Sequence, residues 1–216
     1  MSITELAPVS KFILLEPVSW LTFNQLLQDL GEKRGIRLAY CQGTLEIMTP
    51  LGEHEHNNRF LERLIYTAVD ILNLEIKSLG SLTLRVNRLE KGIEPDSCFY
   101  LQNEPIVRHK RDIDLNVDPP PDLVIEIDIT SSSLNKLAIY GALGVPEIWR
   151  YDGRTLQAYL WNGIQQVYQI SEQSLALHPL KVKDLTVFLR QSLQDGETAT
   201  IRQFRQWLIK QLDQSE

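Results

Sequence analysis

Cysteine is scarce in this chain: Cys41 and Cys98 are the two present among 216 residues. Two thiols cannot build the disulfide framework of a small secreted domain, and they read as packing residues in a reducing compartment. No run of eighteen apolar residues occurs, so no helix is expected to span a bilayer. The opening MSITELAPVS lacks a basic segment followed by an apolar one. No signal peptide is therefore expected, and the predicted location is the cytoplasm. Glycine (11) and proline (10) are near average, which excludes collagen-like and linker-like chains. G-x-S-x-G, a Gly-rich phosphate loop and a Walker sequence are all missing, which leaves a serine hydrolase or P-loop NTPase without support. A basic excess is missing too. Lys and Arg number 22 against 28 Asp and Glu, a net charge of −6, which argues against coating DNA or an anionic membrane by bulk charge. A nuclease stays open, because carboxylates in such a site are negative until a divalent cation enters.

What is present is the mix of an ordinary globular chain, 43% hydrophobic and 23% charged. That is too apolar for disorder and long enough to bury a sizeable core. Trp20, Phe23, Leu26, Leu27 and Leu30 share a helical face that stops at Gly31. Extended runs at 36–41 and 44–48 flank Gln42-Gly43 and predict a hairpin. From about His54 to Leu74 a stripe of Phe60, Leu61, Leu64, Ile65, Ala68, Ile71 and Leu72 predicts the longest helix. Strand-like runs follow at 75–79, 82–86 and 96–101, and the polar, proline-rich 102–121 reads as a surface loop. Leu123 to Ile129 is the most apolar strand candidate, which suggests a central position. Thr130-Ser131-Ser132-Ser133 can cap a helix running from near Leu134 to Gly144. Three more strands are expected from Glu147 onward, then an amphipathic helix from about Thr200 to Leu212. The order predicts an α/β (α+β) fold, a mixed β-sheet flanked by helices.

The acidic residues inside apolar strands carry the chemistry. Glu126 and Asp128 alternate with Val124, Ile125, Ile127 and Ile129, and residues two apart on a strand share a face. Two carboxylates on one face of an apolar strand are costly to bury without a cation or hydrogen-bond donors. With Asp96 of Glu94-Pro95-Asp96 they suggest a divalent metal site. The alternative, the solvent side of an edge strand, is disfavoured by the apolar residues around Glu126. Lys136 and Tyr140 lie four apart on one helix face, a short turn later. Lys136 can lean over the carboxylates and stabilise developing negative charge; otherwise it is a lysine on a solvated face.

At this point the residues carry a family resemblance. Its elements are Glu94-Pro95-Asp96, the run from Pro121 to Ile127, the serine-rich turn, Lys136 with Tyr140, and Gly144-Val145-Pro146-Glu147-Ile148-Trp149 with Asp152. With Gly43 to Pro50 and then His54 upstream, they resemble the Uma-type family of restriction endonucleases in the PD-(D/E)XK nuclease superfamily, over roughly residues 20–190. The resemblance implies a restriction-endonuclease-like fold, with residues 1–216 forming one nuclease-like domain that ends in the amphipathic helix. It implies a metal-dependent endodeoxyribonuclease that hydrolyses DNA phosphodiester bonds. Asp96 and Glu126 would hold Mg²⁺, or Mn²⁺ in its place. Lys136 would supply the lysine that the superfamily motif carries two residues after the acid, with Tyr140 and Glu46 shaping the site. Asp128 stands where that lysine would be, as a ligand, a partner holding Lys136 over the metal, or a bystander.

Other residues are open to two readings. Glu53-His54-Glu55-His56 lacks the HExxH spacing of a zinc site; His54 is a phosphate or site-edge group near Glu46, or a surface residue at a helix start. Glu62 reaches the metal from the long helix, or sits on its polar face beside Arg63. Arg85, Arg88 and Lys91, with Arg108, Lys110 and Arg111, touch DNA phosphates or form a solvated charged surface; Arg85 and Lys110 head that group. Abundant apolar stripes and the symmetry of duplex DNA predict a homodimer. A second function class remains: a noncatalytic, dimeric DNA-interaction or toxin-associated module on a nuclease scaffold.

Overall fold

The computed structural model describes residues 10–31, 35–50, 52–129 and 134–214. The chain opens with β1 (Ser10–Leu15), helix α1 (Trp20–Leu30), and the hairpin of β2 (Arg37–Cys41) and β3 (Thr44–Pro50). Helix α2 (Gly52–Leu72) follows, then β4 (Lys77–Gly80), β5 (Leu84–Val86), β6 (Lys91–Ile93) and β7 (Ser97–Tyr100). A four-residue helix α3 (Glu104–Val107) leads towards β8 (Leu123–Ile127), α4 (Lys136–Leu143) and β9 (Glu147–Tyr151). The chain closes with β10 (Leu156–Asn162), β11 (Val167–Ser171), α5 (Leu185–Asp195) and α6 (Glu197–Asp213). Gln42 and Gly43 both take positive φ, 44° and 104°, as the tight turn of a two-residue hairpin requires.

The mixed sheet expected from the sequence is the six-stranded one, ordered β11-β10-β9-β8-β7-β4. Its β8–β9 pair is parallel, joined by α4 as crossover, and the other pairs are antiparallel. A second sheet, β1-β3-β2-β6-β5, stands beside it and is antiparallel throughout. The sequence reading did not separate the two. Strands β5 and β6 are three residues each, too short for their alternation to name a partner. The 102–121 segment is less of a surface loop than expected: Glu104, Val107 and Asp118 are buried within it, and Asp122 just beyond it accepts the Leu101 and Asn103 N–H groups at 2.7 and 2.9 Å.

Strand β8 is covered on both faces. Leu123, Ile125 and Ile127 meet Phe60, Leu61, Leu64 and Ile65 of α2, together with Phe188, Phe204 and Leu208 of α5 and α6. Val124 points the other way, into Ile139, Tyr140 and Leu143 of α4 and Leu84, Val86 and Ile93 of the second sheet. Burying each such side chain is worth about 1.5–3 kcal/mol. Double coverage is why this strand reads as a near-continuous apolar run. Gly141 sets the height of α4, since a Cβ there would stand 2.3 Å from the Trp161 ring of β10.

Candidate active site

The chain passes between sheets at Glu94-Pro95-Asp96. The Glu94 N–H donates to Leu38 O at 3.0 Å in the first sheet, and the Asp96 N–H donates to Ile125 O at 3.1 Å in the second. Pro95, between them, has no N–H to place. Asp96 therefore lies at the junction, and its Oδ2 accepts the Ile127 N–H at 2.8 Å. Ile127 directly follows Glu126, so this bond ties the two acidic residues together across adjacent strands.

Glu126 shares the α4-facing side of β8 with Val124 and is buried. Helix α4 begins at Lys136, with Asn135 as its N-cap accepting the Ala138 N–H at 3.1 Å. That start puts Lys136 and Tyr140, one turn apart, over Glu126. Lys136 Nζ lies 2.7 Å from Glu126 Oε2, and the Tyr140 hydroxyl donates to Oε1. Burial pushes the Glu126 carboxyl upward and Asp96 adds to the rise, while Lys136 opposes it. For Lys136, burial works against the charge, but Glu126, Asp96 and Glu46 outweigh it and hold its pKa above the ordinary lysine value. Burial and the Glu126 carboxylate raise the Tyr140 hydroxyl well above its usual value. An ammonium and a neutral phenol thus both serve the one Glu126 carboxyl group.

A polar ridge on α2 faces the junction. His54, Asn58 and Glu62 recur every fourth residue and are all buried, the spacing that stacks side chains on one helix face. His54 Nε2 stands 3.2 Å from Asp96 Oδ2. Burial disfavours the imidazolium, yet Asp96, Glu126 and Glu55 raise the His54 pKa above its ordinary value. Asn58 donates to Asp96 O and Ser97 Oγ, and Ser97 in turn donates to Glu62. From the first sheet, Glu46 is buried on β3 and Arg37 on β2 brings Nε to 4.0 Å from Asp96 Oδ1.

Asp96, Glu126, Lys136, Tyr140 and His54 are therefore gathered in one place, with Glu46 close enough to act on the Lys136 charge. His54 is 1% exposed, which removes the surface-residue reading. The expected pairing of Asp128 with Lys136 is not formed. Asp128 Oδ2 instead takes Arg150 Nε at 3.0 Å and Nη2 at 2.5 Å. The parallel register sets Arg150 beside Glu126 on the neighbouring strand, within reach of Asp128, while Lys136 reaches Glu126 itself. Thr130 to Ser133, expected to cap α4, lie outside the described residues, and Asn135 caps the helix. Arg85 bonds Asn24 on α1 beside a cavity of about 620 Å³ shared with Glu94 and Arg111. Lys110 is tied to Asp118 and Arg108 to Glu104. Sequence reasoning missed Arg37, although a cation opening an apolar strand run was a signal for it. It also missed Asn58, which interrupts the α2 stripe.

The carboxylates here offer oxygen donors, which suit Mg²⁺ or Mn²⁺. Among the described residues, no group of three or more His, Cys, Asp or Glu is spaced to hold a metal ion by itself. Two carboxylates completed by water and substrate oxygens is a common way for Mg²⁺ to be held, and Asp96 with Glu126 fits it.

Two sheets flanked by helices, with an acid–acid–lysine cluster at their junction, define a mixed α/β protein of nuclease-like architecture. The family profile described as "Uma2: Putative restriction endonuclease" matches residues 20–195, and the chain belongs to that family. Among solved structures it is similar to a "putative nuclease belonging to DUF820" from Anabaena variabilis ATCC 29413. The two share 21% identity and a TM-score of 0.51, over 80% of this chain and 99% of that one. That likeness is one of fold. None of the curated proteins compared with the chain matches it. Among the described residues no helix is long and apolar enough to cross a membrane.

Proposed function

We propose that this protein is a divalent-metal-dependent endodeoxyribonuclease, with Asp96 and Glu126 holding Mg²⁺ or Mn²⁺. What supports the reading is the bond from Asp96 to Ile127 N–H beside Glu126, with Lys136 and Tyr140 both bonded to Glu126. When bound, the cation supplies Lewis-acid polarisation of a phosphodiester. The remaining roles belong to the chain. The Ile127 N–H and His54 fix the Asp96 carboxylate, and Tyr140 fixes that of Glu126. Lys136 stays an ammonium among three carboxylates, so it acts by charge on the developing phosphorane rather than by taking a proton. Asp128, bonded to Arg150, steadies the β8–β9 edge of the site.

Incubating supercoiled plasmid with the protein and Mg²⁺ or Mn²⁺ tests the reading. Nicked or linear product is expected from wild type, none with EDTA, and a loss of at least 10²-fold in Asp96→Asn and Glu126→Gln. Absence of cleavage by wild type with either ion, or equal cleavage by the variants, sinks it.

The rival reading is a noncatalytic DNA-interaction or toxin-associated module. It draws on the Lys136–Glu126 ion pair, which gives Glu126 a cation from within the chain. Calorimetric titration of Mn²⁺ into wild type and Asp96→Ala separates the two, since identical heats would remove the metal site. For the homodimer, the α6 stripe gives no support, because Phe204 and Leu208 are spent on α5 and α2. The exposed Phe12, Ile13, Leu14 and Leu15 of edge strand β1 are the surface that would pair two copies.

A further inference from the structure

Arg37 has an Nε without a hydrogen-bond partner among the described residues. Its side chain is 14% exposed, and its nearest acidic atoms are Asp96 Oδ1 at 4.0 Å from Nε and Glu55 Oε1 at 3.7 Å from Nη2. Both distances lie beyond a hydrogen bond. A structural Arg–carboxylate pair closes to about 2.7–2.9 Å and is often bidentate. Here Nε is buried with no hydrogen-bond partner among the described residues. A buried donor left unsatisfied costs folding free energy and calls for an explanation.

The backbone that carries Arg37 is also held still. Arg37 precedes Leu38, whose N–H donates to Glu94 Oε2 at 2.9 Å and whose carbonyl accepts the Glu94 N–H at 3.0 Å. Glu94 is two residues before Asp96, so one clamp fixes the Arg37 backbone against the strand that carries Asp96. Lys136, another cation facing these carboxylates, is already bonded to Glu126. An anion brought to Asp96, Glu126 and Glu46 meets three buried carboxylates and needs a donor not yet spent.

We infer that Arg37 binds a non-bridging oxygen of the DNA phosphodiester at this site, its planar fork supplying the donors that Lys136 has committed elsewhere. The inference rests on the nuclease reading for its substrate class and on the geometry of Arg37 for the residue.

The test is equilibrium binding of a short fluorescein-labelled DNA duplex by anisotropy across a salt series, without divalent cation. Wild type, Arg37→Gln, Arg37→Lys and the exposed-site control Lys210→Gln, on α6, are compared, with melting curves to establish folding. Arg37→Gln should bind at least tenfold more weakly, with the slope of log K against log salt flattened by about one. Arg37→Lys should keep the slope yet bind more weakly, because an ammonium cannot present the fork. It also serves as the measurement if Arg37→Gln does not fold. Unchanged affinity and slope in Arg37→Gln, an equal loss in Lys210→Gln, or no measurable binding by wild type overturns the inference. Wild type that binds through Arg37 but cuts no plasmid upholds the phosphate site and overturns the nuclease reading.

Discussion

Glu94 and Leu38 grip each other through two hydrogen bonds: the Glu94 carboxylate takes the Leu38 N–H, and the Glu94 N–H reaches the Leu38 carbonyl. The second carboxylate oxygen accepts from Thr83 at 2.6 Å. Removing the carboxylate leaves the buried Leu38 N–H without its acceptor, at about 1–3 kcal/mol. Glu94→Ala should therefore lower the melting temperature by several degrees, at roughly 2–4 °C per kcal/mol for a chain of this size. Glu94→Gln, which keeps an acceptor, should lose less. Equal melting of Glu94→Ala and wild type by calorimetry would show that the clamp carries no stability.

Lys136→Ala should lower the cleavage rate by about 10²-fold, in the range of other electrostatic stabilisers, with DNA binding little changed. Asp128→Asn should stay near wild type, because Asp128 serves Arg150 and leaves the Lys136–Glu126 pair alone. Single-turnover rates decide it. A Lys136→Ala rate equal to wild type refutes the role of the lysine, and a large loss in Asp128→Asn refutes its separateness.

Gly141 is a lever on the same helix. An added methyl collides with the Trp161 ring, and to the extent that α4 rather than the ring gives way, Lys136 and Tyr140 move with it. Gly141→Ala should lower both stability and cleavage rate, although it touches no reacting group. A variant of normal melting temperature and normal rate would show that α4 accommodates the methyl freely.

Burial pushes the Cys98 thiol up to about 12, so it carries no thiolate at neutral pH. Cys41 is partly exposed. A chromogenic disulfide reagent should titrate one thiol in the folded protein and two after denaturation. Two fast thiols in the native state would contradict the burial of Cys98.

Glu147 is buried and receives N–H bonds from Trp149, Leu175 and Ala176. Burial outweighs these bonds and raises its carboxyl above the usual range. The folded state then holds this proton more tightly than the unfolded chain. Its contribution is full below about pH 4.5 and is lost as pH rises through the elevated folded value. Denaturant midpoints should fall across that window in wild type and fall less in Glu147→Gln. Parallel profiles for the two proteins would remove Glu147 as the source.

Static light scattering at micromolar concentration should return two chain masses for wild type and one for Ile13→Lys, which places a charge on edge strand β1. One chain mass for wild type rules the dimer out.

Local patterns were the legible part. The α2 stripe, the Gln42-Gly43 turn and the acid-bearing β8 each declare themselves within a few residues, because helix period, turn φ and double burial leave local marks. What the sequence did not disclose depends on distant partners. Asp128 meets Arg150 across a parallel pair, 22 positions away. Arg37 reaches Asp96 only because the two sheets abut, and no periodicity encodes that. Strand β1, helix α5 and the three-residue β6 went unread for a related reason. Short or end-of-chain elements owe their conformation to what they pack against.

The change of sheet at Pro95 also bears on inheritance. Leu38 and Glu94, Arg37 and Asp96, and Asp96 and Ile127 are couples whose members sit far apart in the gene. A recombination breakpoint between residues 37 and 127 would put the members of at least one of these couples in different parents, whereas one on either side would leave all three intact. Chimaeras of related genes should therefore survive when that stretch travels as one block.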